Sequence, residues 1–222
     1  MLYRVHSNTL YIRAKITVKN VWAKIKPRIG HVSGYTAGSS PYTNFLPLVD
    51  KTARVYGMGL RELVHERGLP HPSAHLLLFS PDRRYLLVQC RSAHKDLSAN
   101  KLAQSVGGHI SLSQGMTGKQ ITPAIAEETM AREAFEEAGI KNLPFAFLGT
   151  YAYNSHQFTN QEIVFLFSGE YAGKVRPNPT EVKWMGWFSL KGIMKLAIKK
   201  PELFSPSFLK DLEAYAHISN QT

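Results

Sequence analysis

The sequence predicts an α/β protein in which helices cover both faces of a mixed β-sheet. Three observations lead to this class. Strand-like and helix-like segments alternate along the chain, and 44% of its 222 residues are hydrophobic, enough for a packed core. The segment 163–167 is apolar on both faces, as expected of a central, covered strand. No apolar run approaches the length of a membrane span, so we expect no membrane segment and a cytoplasmic location.

The first 45 residues read as a basic N-terminal extension. Residues 1–49 carry seven Lys and Arg side chains and no Asp or Glu, within a total formal charge of +11. A stretch rich in Gly, Ser, Thr and Pro at 30–41 predicts a linker. We therefore expect the globular domain at 46–222. Nucleic-acid binding through the basic extension is a less favoured hypothesis than a solvated tail.

The domain opens with a predicted β-hairpin over 46–59 that turns at 50–52, followed by a short helix that ends at Gly68. A second hairpin turns at 80–82, where Ser-Pro-Asp separates two apolar runs. A polar loop and a short strand then lead to a long helix. Three later strands are predicted, at 145–153, 163–171 and 183–188.

The chain ends in two predicted helices. Ser189 and Ser205 are suited to the N-cap positions because their hydroxyl groups can accept from free backbone N–H groups. Pro206 fits the first position of the second helix. Together with the preceding strands, these helices complete the predicted sandwich.

The long acidic helix is the most informative segment. It is expected over 123–138, with Thr122 as its N-cap and Gly139 just beyond its C-terminus. The pattern places an apolar stripe toward the core, formed by Ala131, Ala134, Phe135 and Ala138. Three carboxylates at i, i+3 and i+4 project from one face, those of Glu133, Glu136 and Glu137.

Folding stability does not call for three neighbouring carboxylates, because like charges at this spacing repel. A divalent cation such as Mg²⁺ or Mn²⁺ would neutralise them, since these ions prefer oxygen ligands. Arg132 can pair with Glu128 and with Glu136, each four residues away, and so orient the carboxylates. An ordinary charged helix face is the alternative interpretation.

The order of these residues matches a known signature. Residues 132–140 read REAFEEAGI and follow Gly107-Gly108, which resembles the second half of the Nudix hydrolase box, R-E-U-x-E-E-x-G-U with U apolar. The resemblance implies a Nudix-type α/β/α sandwich and hydrolysis of a nucleoside diphosphate linked to another group. It also implies a metal site made by the Gly108 carbonyl with Glu133, Glu136 and Glu137.

From about Leu46 to Tyr215 the sequence also resembles the subgroup that contains isopentenyl-diphosphate isomerase. There, the position of Glu162 is a metal-binding or acid–base glutamate. His71 and His109 resemble two of the isomerase's metal histidines, and with His75 they could form a transition-metal site. His75 by itself reads better as a structural residue.

The sequence departs from the family in the loop that precedes the helix. The expected box glutamate falls on Gln114 when counted from the glycine and on Ala124 when counted from the arginine, because residues are inserted between them. Asn160 stands where the subgroup has a second glutamate, and Gly107 where the isomerase has a cysteine. An isomerase-like enzyme and a catalytically degenerate binding module therefore remain alternatives.

The reading that we favour is a Mg²⁺- or Mn²⁺-dependent diphosphatase acting on a small-molecule diphosphate. Glu136, Glu137 and Glu162 are the expected catalytic residues, with Glu162 or Glu137 accepting the proton. Arg91 and Lys95 are expected to grip substrate phosphates. Glu181 is a weaker candidate for the base. Homodimer formation is left open.

Overall fold

A computed structural model describes residues 44–95, 97–111, 117–155 and 160–219. The strands are β1 (Phe45–Val49), β2 (Val55–Leu60), β3 (His71–Phe79), β4 (Tyr85–Arg91), β5 (Leu102–Ala103), β6 (Val106–His109), β7 (Ala146–Ser155), β8 (Asn160–Glu170) and β9 (Val182–Ser189). The helices are α1 (Arg61–Glu66), α2 (Pro123–Ala138), α3 (Leu190–Lys199) and α4 (Pro206–Ser219), with a 3₁₀ turn at Pro201–Leu203. The predicted extension falls outside the described residues, apart from its last two.

Strand β3 is the axis of a mixed seven-stranded sheet. It runs parallel to β8, which pairs antiparallel with β7 on its other side. Along its opposite edge, β3 pairs first with β6 and then, at Phe79, with β4. Strand β4 continues the sheet by pairing with β5 and β9. Strands β1 and β2 form a separate hairpin, as the turn at 50–52 predicts.

Helices cover both faces of this sheet, which confirms the predicted α/β/α sandwich. Neighbouring residues of β3 belong to opposite hydrophobic cores: Leu76 and Leu78 pack on the side of α2, whereas Leu77 and Phe79 pack on the side of α3 and α4. Strand β8 is buried over nearly its whole length. The prediction that it is a central strand is confirmed.

Helix α2 begins and ends as predicted, but it buries a different stripe. The Thr122 hydroxyl accepts from the backbone N–H of Ile125, and Gly139 has a left-handed φ of 69°. The core side of the helix is Ala126, Met130, Ala134 and Ala138, spaced four residues apart. The predictions for Ala131 and Phe135 are wrong: both are exposed, and the Phe135 ring packs under the Lys141 ammonium group at 4.6 Å.

The described part of the inserted loop lies against the β1–β2 hairpin. The backbone N–H of Val55 donates to Lys119, and that of Ile121 donates to Ala53, at 2.9 Å each. The Arg54 guanidinium donates to the Gly118 carbonyl. Residues 117–121 therefore extend the hairpin and do not line the cavity described below.

The hydroxyl groups of Ser189 and Ser205 cap α3 and α4, as predicted. Within the described residues, no helix has both the length and the apolar character needed to span a membrane.

Candidate active site

The predicted site residues line one open cavity of about 1010 Å³. Its lining residues come from α1, α2 and six strands, and from residues 205–207 at the N-terminus of α4. Acidic side chains and histidine side chains meet in this cavity. We call the residues Gly108, Glu133, Glu136 and Glu137 the carboxylate wall. We call His65, His75, His109 and Glu162, together with His71, which is buried against His65 and His109, the histidine wall.

The carboxylate wall joins α2 to the short strand β6. A Cβ atom added to Gly108 would lie 2.4 Å from the carboxyl carbon of Glu133, so only glycine lets this carboxylate pack against the strand backbone. The side chain of Glu136 is half-exposed and that of Glu133 nearly buried, whereas Glu137 is only 3% exposed. All three line the cavity, as predicted from their spacing.

Glu137 is the deepest of these acids. One carboxylate oxygen, Oε2, accepts from the Gln89 side-chain amide at 3.1 Å and from the Gly107 backbone N–H at 3.3 Å. Burial, reinforced by the neighbouring charge of Glu133, raises the pKa of Glu137 to about 7. Burial also raises the pKa of Glu133. An oxygen-rich site of this kind favours a positive ion.

Arg132 neutralises the outer part of the wall. Its two terminal nitrogens donate to Glu136 at 2.8 Å and to Glu133 at 2.7 Å. The expected pair with Glu136 is confirmed, and the second partner is Glu133 rather than Glu128. These bonds fix the orientation of the two carboxylates.

Arg91 and Lys95 lie on the cavity wall, as expected of groups that bind an anionic substrate. The Arg91 Nε atom donates to the Leu97 carbonyl at 3.0 Å. Lys95 forms an ion pair with Glu181. Glu181 is therefore the ion-pair partner of Lys95. Burial lowers the pKa of Lys95.

The structure brings three histidines together, but they are not the predicted three. His65 joins His71 and His109, and their ligand nitrogens lie within 4.8 Å of one another. The Nε2 atoms of His65 and His109 are 3.2 Å apart. His75 is not part of this cluster. Sequence reasoning missed His65 because α1 and β6 meet only through the fold.

The cluster has the properties of a transition-metal ligand set. His71 Nδ1 donates to the Leu69 carbonyl at 2.8 Å, so the lone pair of its neutral ring is on Nε2, which is buried without a partner. Burial lowers the pKa of His71 and, more strongly, that of His109. The neutral ring of His71, with its unpartnered Nε2 atom, suits such an ion.

Glu162 lies on β8 beside His71 of β3 and is 7% exposed. Its Oε2 accepts from Ser73 at 2.6 Å, and its Oε1 accepts from the Asn160 amide at 2.5 Å. Burial acts to raise its pKa, but electrostatic interactions with His75 and His71 and these two hydrogen bonds outweigh burial and lower it. Asn160, in the place of a second acid, holds Glu162 by a hydrogen bond.

Next to Glu162, His75 contacts a group that sequence reasoning missed, formed by Asp211 and Tyr151. His75 contacts Asp211 of α4, which is fully buried, and Tyr151 of β7 donates to the same carboxylate. One signal was available in the sequence. Asp211 sits three residues after Phe208 and one before Leu212, so it is an acid on the apolar face of a predicted helix.

Comparison with known proteins places this geometry in a family. The NUDIX domain model matches residues 69–211. The chain belongs to the NUDIX domain family. That match spans β3 to α4 and contains the carboxylate wall, Glu162 and Asp211. No curated protein shows significant similarity to the sequence.

Solved structures share the Nudix fold at low sequence identity. DR0079 from Deinococcus radiodurans is 21% identical, with a TM-score of 0.59 over 76% of this chain and 97% of its own. A MutT protein from Methanosarcina mazei Go1 is 20% identical, with a TM-score of 0.50 over 68% of this chain and 94% of its own. A MutT NUDIX hydrolase from Burkholderia pseudomallei is 16% identical, with a TM-score of 0.50 over 65% and 97%.

The residues of the carboxylate wall fit the divalent metal that Nudix hydrolases generally use. Three carboxylates converge on one cavity, one of them is buried with a raised pKa, and a glycine makes room for another. Buried carboxylates without a cation are costly, and oxygen donors suit Mg²⁺ and Mn²⁺. Family membership and this donor set agree.

Proposed function

We propose that this Nudix protein is a Mg²⁺- or Mn²⁺-dependent hydrolase that cleaves the diphosphate linkage of a nucleoside diphosphate derivative or a related small molecule. The observation that carries the proposal is the buried carboxylate of Glu137, held beside Glu133 in a cavity that also contains Arg91 and Lys95. Carboxylates that can bind a cation and basic side chains that can bind an anion therefore line the same cavity.

The carboxylate wall would hold the metal through Glu133, Glu136 and Glu137, with the Gly108 carbonyl as a further ligand. When bound, such an ion neutralises diphosphate oxygens and lowers the pKa of a water molecule. Arg132 keeps Glu133 and Glu136 aimed at the cavity. The contribution of the chain is to assemble these donors before the substrate arrives.

Arg91 and Lys95 would position the anionic substrate opposite the carboxylates. Arginine can bind two phosphate oxygens at once, whereas lysine acts as a point charge. Lys95 is already paired with Glu181, so binding a phosphate requires Lys95 to share its ammonium group between the two anions. Glu162 would accept the proton from the attacking water, because it is a carboxylate on the cavity wall whose surroundings favour the ionised form that can accept. Glu137 is the alternative acceptor.

The test is a substrate panel of nucleoside diphosphate sugars, dinucleotides, NADH, nucleoside triphosphates and prenyl diphosphates. Purified protein is incubated with Mg²⁺ or Mn²⁺, and the products are separated by ion exchange and identified by mass spectrometry. We expect metal-dependent cleavage of at least one compound, with most turnover lost in Glu136→Gln. If none of the compounds is cleaved with either metal, the hydrolase proposal is wrong.

A matched control is available on the same helix. Glu128 is exposed on α2 and does not line the cavity. Glu128→Gln removes the same charge from the same helix and should leave turnover unchanged. Equal losses in Glu136→Gln and Glu128→Gln would point to helix stability or net charge instead of a metal site.

The isomerase alternative is disfavoured by the position of Gly107. A Cβ atom at this position would lie 2.3 Å from the Gln104 amide nitrogen, so a cysteine here would require the Gln104 side chain to move, and glycine carries no group that can transfer a proton. Cys90 is buried on β4 and does not line the cavity. We expect no dimethylallyl diphosphate from isopentenyl diphosphate above a no-enzyme control. Salt-sensitive nucleic-acid binding without turnover would instead favour the binding-module alternative.

A further inference from the structure

Glu162 is backed by a chain of buried side chains that leads away from the cavity. The Asp211 carboxylate is fully buried on α4 and lies 3.0 Å from His75 Nδ1 through either oxygen. Tyr151 Oη donates to its Oδ1 at 2.6 Å. A carboxylate without a proton only accepts, so the hydrogen bond holds a proton on His75 Nδ1. Burial acts to lower the pKa of His75, but the carboxylates of Asp211 and Glu162 outweigh burial and raise it, which favours the imidazolium form with a second proton on Nε2.

The other ring nitrogen of His75 faces the proposed base. Its Nε2 lies 3.7 Å from Glu162 Oε2, which is longer than a hydrogen bond but within the range of an ion pair. Both His75 and Glu162 line the cavity, whereas Asp211 and Tyr151 do not. The order from the core outward is Tyr151, Asp211, His75 and then Glu162.

The hydrogen bonds among His75, Asp211 and Tyr151 are not needed to attach α4 to the sheet. The helix already packs through Phe208 and Leu212, which belong to the hydrophobic core on that side. Burying a carboxylate carries a desolvation cost, and apolar replacements of buried ionic groups are often neutral or stabilising. A histidine ring held between two buried acids is instead fixed in its direction and protonation.

We propose that Asp211 and His75 are positioning residues that hold Glu162 in the geometry of the catalytic base. This inference rests on the proposed function, in which Glu162 accepts a proton from water. Ser73 and Asn160 each bind one carboxylate oxygen, and His75 places its ring nitrogen against the oxygen that Ser73 also binds. Asp211 acts one step further back, by preventing the ring from turning or exchanging its proton.

Three substitutions separate the contributions of Asp211, His75 and Tyr151. In Asp211→Asn the negative charge that favours the imidazolium form is lost and the amide can donate to His75 Nδ1, which changes the protonation of the ring that faces Glu162. In His75→Asn the side-chain amide can still donate to Asp211, but the ring nitrogen opposite Glu162 is gone. Tyr151→Phe removes one hydrogen bond from Asp211 and leaves the ring in place.

The matched control is Ser105→Ala. Ser105 is fully buried, donates to the Leu87 carbonyl at 2.6 Å and accepts from the Leu78 backbone N–H at 2.8 Å, but it does not line the cavity. This variant loses buried hydrogen bonds of similar structural weight. It should lower the melting temperature and leave kcat unchanged.

The experiment measures kcat and KM on the best-cleaved compound of the panel, together with ¹H–¹⁵N NMR of the histidine rings without substrate. We expect Asp211→Asn and His75→Asn to lower kcat by about 10- to 100-fold with little change in KM, as for the partners of other catalytic groups. Tyr151→Phe should have a smaller effect. The wild-type spectrum should show a hydrogen-bonded Nδ1–H signal that His75→Asn removes.

The outcomes are distinguishable from those of the proposed function. If the wild-type protein cleaves nothing in the panel, the hydrolase proposal fails, and the positioning role fails with it. If the wild type is active while Asp211→Asn and His75→Asn keep its kcat, only the positioning role is overturned. Equal loss of kcat in Ser105→Ala, or absence of the Nδ1–H signal in the wild type, would also overturn it.

Discussion

The two walls of the cavity are built in opposite ways. The carboxylate wall takes Glu133, Glu136 and Glu137 from five consecutive positions of α2, with Gly108 as the only member from elsewhere. The histidine wall gathers its residues from α1, β3, β6 and β8, and rests on Asp211 of α4. A helix surface can therefore encode one wall locally, whereas the other exists only because β3 pairs with β6 and β8 at once.

The walls also differ in how they balance charge. On the carboxylate wall Arg132 binds two acids at the rim, while the deepest acid has a pKa raised to about 7. On the histidine wall Glu162 has a lowered pKa because His75, His71 and two hydrogen bonds outweigh its burial. The first wall calls for an added cation, whereas the second already stabilises its own carboxylate. This difference motivates the separate roles of metal binding and proton transfer.

The largest expected effect is on turnover through the carboxylate wall. Glu137→Gln keeps the shape of the side chain and removes the charge that a metal requires, so kcat should fall by about 1,000-fold, within the range found for essential acid–base groups. Circular dichroism should show an intact fold. Glu128→Gln serves as the control. An unchanged kcat in Glu137→Gln would contradict the assignment of metal binding to the carboxylate wall.

The second effect concerns the stability of the metal-free protein. Because the folded pKa of Glu137 is about 7 and its ordinary value is 4.5, the folded state binds more protons than the unfolded state between these values. Stability from this group is present at low pH and is lost as the pH rises through 7. The loss approaches about 3 kcal/mol.

Urea denaturation in EDTA at about pH 5 and about pH 7.5 measures this loss as the difference between wild type and Glu137→Gln. The difference isolates Glu137 from His75 and Glu162, which also titrate. Added Mg²⁺ should restore stability at the higher pH in the wild type only. If the difference in the free energy of unfolding between wild type and Glu137→Gln is the same at both pH values, the raised pKa of Glu137 is contradicted.

The third effect tests the histidine wall as a separate ligand set. His109→Gln should weaken Co²⁺ binding by about 10- to 100-fold, because it removes one of three converging nitrogens. The absorption spectrum of bound Co²⁺ reports the change. His217→Gln, at an exposed position of α4, is the control. Co²⁺ binding that survives in His109→Gln but is lost in Glu136→Gln would assign the ion to the other wall.

The smallest effect concerns the helix that carries the carboxylate wall. Thr122→Ala removes the N-cap of α2 and should lower the free energy of unfolding by about 1 kcal/mol. The wall itself is anchored by Gly107, Gly108 and Gln89, so kcat should stay near that of the wild type. Thermal denaturation and steady-state kinetics measure the two quantities. A large loss of kcat would show that the cap also positions the acids.

Local sequence determined the elements and one wall. The caps at Thr122, Ser189 and Ser205 and the left-handed Gly139 depend on bonds within a few residues, so they could be predicted. The spacing of Glu133, Glu136 and Glu137 fixed their shared face for the same reason. The buried face of α2 could not be read as reliably, since Ala and Phe both fit an apolar stripe and only packing on the sheet exposes Phe135.

Tertiary structure alone decided the histidine wall. His65 and His109 lie 44 residues apart, and His75 and Asp211 lie 136 apart, yet each pair is in contact. No local periodicity joins such residues, because their separation depends on which strands pair and which helix covers the sheet. By itself the sequence determined the class of fold and the acids that suit a metal. The fold decided which histidines meet and that Glu162 is held from behind by Asp211, because long-range contacts follow from chain topology.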